Sequence, residues 1–583
     1  MINSELPRWL KNRYSILWEA FKDSEFRLED AAHVLEMKNK DKRADVPVFL
    51  SELRKAGFLE IKADPADARR SIYKLKAEES EPSSQTLTRD ELISLLKKGA
   101  DIIRTRVDYT FLLVLLFMKR ISDRWEEEYK KAYEDALKDG LSEEEAKKEA
   151  KSSTFHEFDL PEEFLWDNIR KEVGVLPEKF SRALKTIAEK NPELKDVFDN
   201  VDFIQFTSST ENAEVLRQLV ELFSKKKLSH ASPDILGDGY EWVLGYFAPT
   251  KAKEGEIYTP REVIKLLVEM LEPKPQESVY DPACGSGGML ITSYKHVEEK
   301  YGKEGARKLF LYGQEVNQKT IALAKMNMYI HDIRDSQLAF GDTLLYPKFK
   351  EGEEYKRFDV VIANPPWNQD GYDESNLKKG EFWKKRFIYG FTPRQSADWA
   401  WVQHMLASAK DDTGRVGIVI DNGCLFRGGK ERAIRASILD RDLIECVILL
   451  PEKLFYNTGA PGAIMILNKN KPSERKGKIL IINASGEYEQ HPEVRRLNKL
   501  ADKNIEKISN AYKEFKEISG FSKIFSLEEI KENDYNLNVT LYVFREEEEE
   551  KIDINKEWEE LHRIDIEINK LEEKIHEYLR GLI

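Results

Sequence analysis

Ser278 to Asp281 reads as a short strand and Met289 to Lys300 as a helix, with only Pro282-Ala283-Cys284-Gly285-Ser286-Gly287-Gly288 between them. The glycines permit a tight turn and a close backbone approach to a ligand. Strand, glycine turn and helix in succession point to an α/β sheet whose ligands sit past the carboxyl ends of parallel strands. The turn is no phosphate cradle, because the Lys-Ser/Thr pair of a P-loop and the spacing of a dinucleotide fingerprint are both missing. Asp281 at the strand end suits a ligand that is cationic beside the loop, as a sulfonium is.

A second apolar run, Phe358 to Ala363, has the composition of a strand buried on both faces and ends in Asn364-Pro365-Pro366-Trp367. An amide, two rigid prolines and an aromatic at that point suit methylation of an exocyclic amino group. Such a nitrogen is a poor nucleophile because its lone pair is delocalised into the ring. The Asn364 side-chain oxygen and the Pro365 carbonyl can accept its hydrogens and draw it toward tetrahedral geometry, which is preorganised electrostatic help. Trp367 offers a stacking face for a base taken out of a duplex. Between the two motifs, Leu309 to Glu315 and Gln337 to Asp342 end two more strands with carboxylates. Glu315 is placed to hold ribose hydroxyls and Asp342 to accept from an adenine amino group.

These motifs together resemble class I S-adenosylmethionine-dependent methyltransferases of the amino-methylating DNA branch. More narrowly they resemble the modification (M) subunit of type I restriction–modification systems. Ile235 to Gly245 and Gly255 to Arg261 are similar to the stretch before the cofactor loop in that family. Gly99 to Arg104 and Leu116 to Asp123 resemble its helical amino-terminal domain, and Leu425 to Glu431, Phe455 to Gly459 and Tyr535 to Asn538 fit downstream. The resemblance covers roughly residues 90 to 583. It implies cofactor contacts from Glu256, Ile257, Tyr258, Thr259, Pro260, Arg261, Ser286, Gly287, Gly288 and Glu315, to which the reading of the turn and strand ends adds Asp281, Gly285 and Asp342. Asn364, Pro365, Pro366 and Trp367 would hold a flipped adenine, with no metal. Trp367 departs from the Phe or Tyr more usual in the family. Asn364, rather than Ser or Asp, favours adenine N6 over cytosine N4.

Cys284, Cys424 and Cys446 are too few and too apolar in setting for a disulfide framework or a zinc site, so a reducing cytoplasm is expected. With Glu5, Arg8, Lys11 and Arg13 among only short apolar stretches, no signal peptide is expected at the start. The longest apolar run, Phe111 to Met118, falls far short of the roughly 20 residues that cross a bilayer and reads as a core helix. A net charge of −13 is awkward for a protein that neutralises phosphates. Either Lys378, Lys379, Lys384, Lys385, Arg386 and Arg394 form a local basic face, or a partner supplies most DNA contacts. The second is favoured, because after Trp367 the chain is committed to further sheet strands and leaves no base-reading module. Those strands are Val416 to Ile420, Ile444 to Leu450, Ala463 to Leu467 and Ile479 to Ile482.

At the carboxyl end, Leu561, Ile564, Ile568, Leu571, Ile575, Tyr578 and Leu582 alternate spacings of three and four, flanked by Glu and Lys. Such a stripe seeks another helix or docks on its own domain. The resemblance implies the former, a specificity subunit. The Glu546 to Glu550 run before it reads as a solvated face or linker. At the amino end, three short helices (Tyr14 to Phe21, Leu28 to Leu35, Val46 to Ala56) precede strands at Gly57 to Ile61 and Ser71 to Leu75, with a turn at Asp64 to Asp67. That is winged-helix order. Residues 1 to 76 hold 16 Lys and Arg against 13 Asp and Glu. DNA contact through Arg54, Lys55, Arg69 and Arg70, or a protein contact, both fit this module.

The expected architecture is a winged helix (1–78), a linker (79–90) and a helical domain (91–240). A Rossmann-like class I methyltransferase domain (241–490) and a carboxyl-terminal helical region (491–583) follow. The expected activity is site-specific adenine-N6 methylation of double-stranded DNA from S-adenosylmethionine. The implied partners are a specificity subunit, a second M subunit and a helicase-type restriction subunit, with no membrane. A stand-alone amino-methyltransferase acting on DNA, RNA or a protein glutamine is the alternative.

Overall fold

The computed structural model describes residues 8–580 apart from 22–23, 40, 56–57, 65–66, 76–86, 105–106, 254–257, 457, 493 and 545–553. Expectations resting on Glu256, Ile257, Ala56, Gly57, Pro65, Ala66, Asn457, Leu582, linker residues 79–86 and the Glu546 to Glu550 run therefore lie outside the described residues. So do the side chains of Lys55, Arg69, Arg70 and Tyr578. Two compact units, 1–87 and 88–583, make up the chain.

The first unit is built from α1 (Arg8–Phe21), β1 (Phe26–Arg27), α2 (Leu28–Asn39), α3 (Val46–Lys55), β2 (Leu59–Asp64) and β3 (Asp67–Leu75). Its antiparallel sheet has the order β1-β3-β2. Tyr14, Leu17, Leu35, Leu50, Leu53, Leu59 and Leu75 close a small core beneath it. Helices and wing follow the expected order; the two-residue β1 is too short to leave a periodic signal.

In the second unit α4 (Arg89–Ile103) opens on a capping box in which Thr88 and Glu91 satisfy each other's backbone N–H groups. It is followed by α5 (Thr110–Lys138), α6 (Leu176–Lys190) and α7 (Thr210–Phe223). Leu112 to Met118 are all buried in α5. Lys119 and Asp123, one helical turn apart, form an ion pair buried to within 2 % of full coverage. Asp123 also accepts the Leu228 N–H at 2.7 Å, and Arg120 donates to the Leu228 carbonyl at 3.0 Å. The Leu116 to Asp123 motif thus ties the long helix to the segment that leads into the sheet domain.

That domain comprises α8 (Pro233–Lys253), α9 (Arg261–Leu271), β4 (Ser278–Asp281), α10 (Gly288–Ala306), β5 (Phe310–Glu315), α11 (Gln318–Ile330) and β6 (Ser336–Phe340). Next come β7 (Val360–Ala363), α12 (Asp398–Ser408), β8 (Arg415–Asp421), α13 (Gly429–Leu439), β9 (Ile444–Leu449) and β10 (Gly462–Asn468). It ends with β11 (Lys478–Asn483), α14 (Asp502–Glu514), β12 (Ser522–Ser526) and α15 (Ile554–Arg580). Nine strands form one sheet in the order β12-β11-β9-β10-β8-β7-β4-β5-β6. From β6 to β8 all neighbours are parallel; β10 is reversed between β8 and β9, and β12 is an antiparallel edge.

Helices cover both faces, so the central strands are apolar between their polar ends. The alternation is visible in β7: Val360 and Ile362 enter one core, Val361 and Ala363 the other. Each fully buried Val or Ile of this kind contributes about 1.5–3 kcal/mol. In α8 the Ile235 to Gly245 motif serves close packing. A Cβ at Gly237 would overlap the His331 ring at 1.9 Å, and Tyr240 donates to the Leu323 carbonyl at 3.0 Å.

Helix α15 behaves differently. Leu561, Ile564, Ile568, Leu571 and Ile575 remain 47–59 % exposed, so its apolar stripe is not docked on the catalytic domain. Among the described residues no helix is long and apolar enough to cross a membrane.

Candidate active site

From β4 the sheet grows through β5 to β6 on one side and through β7 to β8 on the other. The strand order reverses there, and open α/β sheets bind ligands at such switch points. Because Val279 pairs with Val360 and Tyr280 with Val361, the loops after β4 and β7 emerge side by side. A cavity of about 270 Å³ opens over them, with a smaller lobe of about 70 Å³ beneath. Tyr258, Gly285, Ser286 and Asn364 line both.

Gly287 stands at φ +86° as the amino-terminal cap of α10, and its N–H donates to the Cys284 carbonyl at 2.8 Å. A Cβ there would lie 3.0 Å from Met328 Cε as well as being conformationally strained. Glu315, at the end of β5, accepts the Gly285 N–H at 3.0 Å through Oε2 and the Asn317 N–H at 2.9 Å through Oε1. From α11 the buried Asn327 donates to the Ser286 carbonyl at 3.0 Å. Asp281 is 2 % exposed and accepts the Ala283 N–H at 3.0 Å. Burial, reinforced by the Glu315 carboxylate, pushes its pKa up to about 8 against the pull of that N–H. Asp342 accepts from the Tyr372 hydroxyl at 2.8 Å and from the Leu345 N–H at 3.1 Å. Three acids and a close-approach glycine turn in one cleft suit a ligand with hydroxyls, an amino group and positive charge.

On the opposite wall Asn364 is 9 % exposed. Its Nδ2 donates to Thr259 Oγ1 at 2.8 Å, and its Oδ1 accepts the Trp367 indole N–H at 2.9 Å. An indole nitrogen can only donate, so the amide orientation is fixed chemically. The Oδ1 keeps a second lone pair. Trp367 is half-buried, with Phe455 packed at 69° to it at a centroid distance of 4.8 Å. Gln369 is held by the Trp401 indole N–H at 3.2 Å.

Of the residues expected here, Tyr258, Gly285, Ser286, Glu315, Asp342, Asn364 and Pro366 line the main cavity. Thr259, Arg261, Asp281 and Gly288 line the smaller lobe. Pro260 is the amino-terminal cap of α9, and Gly287 shapes the loop from behind. Neither Pro365 nor Trp367 is part of the cavity wall; the indole is turned onto Asn364 instead. Arg261 is paired with Glu241 and Asp238. Arg386, read as a basic surface residue, is instead 1 % exposed and donates to the carbonyls of Thr343, Leu344 and Glu381. Lys378 and Lys385 pair with Glu374 and Glu354. Sequence reasoning missed Tyr109 from the helical domain and Tyr372, Gln369 and Trp401 on the far wall. Tyr109 and Trp401 have no local spacing signal, since only the folded chain brings them to the cleft, whereas Gln369 and Tyr372 directly continue the loop that begins at Asn364.

Comparison with known proteins gives a consistent result. The N-6 DNA Methylase family profile matches residues 231–551, and that of the HsdM N-terminal domain matches 92–223. The type I restriction enzyme MjaVIII methylase subunit of Methanocaldococcus jannaschii is 48 % identical over 99 % of this chain and 98 % of its own. The MjaVII methylase subunit of the same organism is 45 % identical over 100 % and 98 %. The crystal structure of a type I restriction–modification methyltransferase subunit from Streptococcus thermophilus superposes with a TM-score of 0.67. It is 28 % identical, over 78 % of this chain and all of that one.

Proposed function

This chain belongs to the methylase subunits of type I restriction enzymes, a family of N6-adenine DNA methyltransferases, and on that premise we propose how its cleft works. It transfers a methyl group from S-adenosylmethionine to the N6 nitrogen of an adenine turned out of double-stranded DNA. The observation that carries this reading is the shared cavity, in which the glycine loop after β4 and Asn364 after β7 line the same space.

The Gly285 to Gly288 turn and Glu315 would hold the cofactor, with Asp342, Tyr258 and the Thr259–Arg261 segment around it. Glu256 and Ile257, outside the described residues, are assigned with them by family resemblance. S-adenosylmethionine, when bound, supplies an electrophilic methyl group on a cationic sulfur. The second lone pair of Asn364 Oδ1 and the Pro365 carbonyl accept the hydrogens of the adenine amino group, localising its lone pair for in-line attack. Thr259 and Trp367 keep the amide in that orientation; the stacking role of the indole, which lies beside the cavity and not in its wall, is assigned by family resemblance. No strong base is needed, because the nitrogen loses its proton readily once methylated.

Asp281 makes a pH-dependent prediction. Its raised pKa means that stability contributed by the neutral acid is complete below the ordinary aspartate range. That contribution is lost as pH rises from there through about 8. A cation bound beside it favours ionisation, so cofactor binding at pH 7 releases a fraction of a proton. Calorimetry in two buffers of different ionisation enthalpy reads this directly. A binding heat independent of buffer, or unchanged dependence in Asp281→Asn, contradicts the assignment.

We place the recognition of sequence in a separate specificity subunit. A second methylase subunit and a restriction subunit complete the complex in the cytoplasm. The solvent-exposed ridge of α15 supports a helical partner. Ile568→Glu combined with Leu571→Glu is expected to abolish co-purification with the specificity subunit while S-adenosylhomocysteine affinity is unchanged. Retained co-purification would move the contact elsewhere. The test of the whole reading is tritiated methyl incorporation into DNA with and without that subunit. N6-methyladenine formed only by the complex supports it; labelling of RNA or of protein glutamine overturns it, and transfer by the lone chain removes the partner requirement.

A further inference from the structure

Two sequence motifs, Leu425 to Glu431 and Tyr535 to Asn538, take no part in the chemistry just described, yet they meet in space. The Leu537 N–H donates to the Leu425 carbonyl at 3.0 Å. Arg435, 1 % exposed, donates to the carbonyls of Tyr535 at 2.6 Å and of Cys424 and Arg427 at 3.1 Å. The Arg427 backbone is thereby fixed, and its guanidinium reaches toward the catalytic loop.

Arg427 Nη1 donates to Asp398 Oδ2 at 3.0 Å and to Ser396 Oγ at 3.3 Å, while Nη2 donates to Asn368 Oδ1 and Asp421 Oδ2. Asp398, 2 % exposed, returns its other oxygen to the Asn368 N–H at 2.9 Å. Asn368 directly follows Trp367 and stands at φ +52°. A residue with a side chain holds that conformation when its surroundings impose it, and asparagine tolerates it best. Backbone and side chain of Asn368 are thus gripped together by one arginine and one buried aspartate.

We propose that Arg427 and Asp398 form a clamp on Asn368 that sets the exit angle of the Asn364–Trp367 loop, making Arg427 a positioning residue for methyl transfer. The proposal rests on the function assigned to that loop. The guanidinium fork is what the geometry uses, since one planar group must serve Asp398 and Asn368 at once. Displacing a catalytic group by about 1 Å costs on the order of 10²-fold in rate.

The test uses the full chain in its complex, unmethylated genomic DNA and tritiated S-adenosylmethionine under single-turnover conditions. S-adenosylhomocysteine affinity is measured alongside. Arg427→Gln is expected to slow transfer about 100-fold with affinity within about threefold and a melting temperature within a few degrees of the parent. Should that variant fail to fold, because Asp398 and Asp421 lose their cation, Asn368→Ala carries the test with a loss of about tenfold or more. Asn368→Asp, which keeps an acceptor and tolerates the same backbone, recovers most of that loss. A folded Arg427→Gln or Asn368→Ala that transfers at the parental rate overturns the clamp, as does a cofactor affinity that falls in step with the rate. A parent complex that transfers nothing overturns the functional reading itself, and the clamp with it.

Discussion

Replacing Asn364 by alanine is expected to lower single-turnover methyl transfer on the order of 10³-fold and to leave S-adenosylhomocysteine affinity within about threefold. The asymmetry follows from the geometry. Asn364 meets the cofactor side of the cleft through its bond to Thr259 and as part of the lining it shares with Gly285 and Ser286, whereas its Oδ1 is the atom assigned to the amino group. The truncation also leaves the Thr259 hydroxyl and the Trp367 N–H without their amide. That loss destabilises the fold by about 1–3 kcal/mol at most, since both are partly exposed and can turn to water. Loss of cofactor binding in step with activity would mean that this loop serves the donor rather than the acceptor.

The complementary change is Glu315→Ala, expected to weaken S-adenosylhomocysteine binding by about two orders of magnitude or more. Glu315 accepts two backbone N–H groups, at Gly285 and Asn317, which flank the cleft on either side. Bonds to a charged group contribute about 1.5–3 kcal/mol each. Removing the carboxylate therefore releases the glycine turn as well as the proposed ribose contact. At saturating cofactor the variant should recover much of its transfer rate. A cofactor affinity within about threefold of the parent would place the donor elsewhere in the cleft. Asn364 and Glu315 thus separate the two halves of the reaction: one variant binds without transferring, the other transfers once filled.

Much of the sheet was readable because its strands are buried on both faces. Apolar runs such as Phe358 to Ala363 and Ile444 to Leu450, each broken by a single acid at its second position, leave little choice, and the observed strands fall within or around them. The edge strand β12 escaped notice because Ser522-Lys523-Ile524-Phe525-Ser526 carries polar residues at the open end of the sheet. At the site, carboxylates and glycines at strand ends were visible from their positions alone. Side-chain direction was not. Trp367 could be placed beside Asn364 from the sequence, but not turned with its N–H onto the amide. Arg386 sat among surface lysines in the sequence and proved to be a buried clamp on backbone carbonyls. Tyr109 and Trp401 reach the cleft across long stretches of chain, where no local pattern could announce them.

The uncovered ridge on α15 has a consequence for how the protein is made. A row of five greasy side chains left wet is an invitation to self-association, to holding by chaperones and to removal by quality control. Synthesis in excess of whatever shelters that ridge would be wasted. On the proposed assembly, the supply of this subunit in a cell would be metered by the chain that shelters the ridge, and an orphan copy would be kept scarce by its own surface.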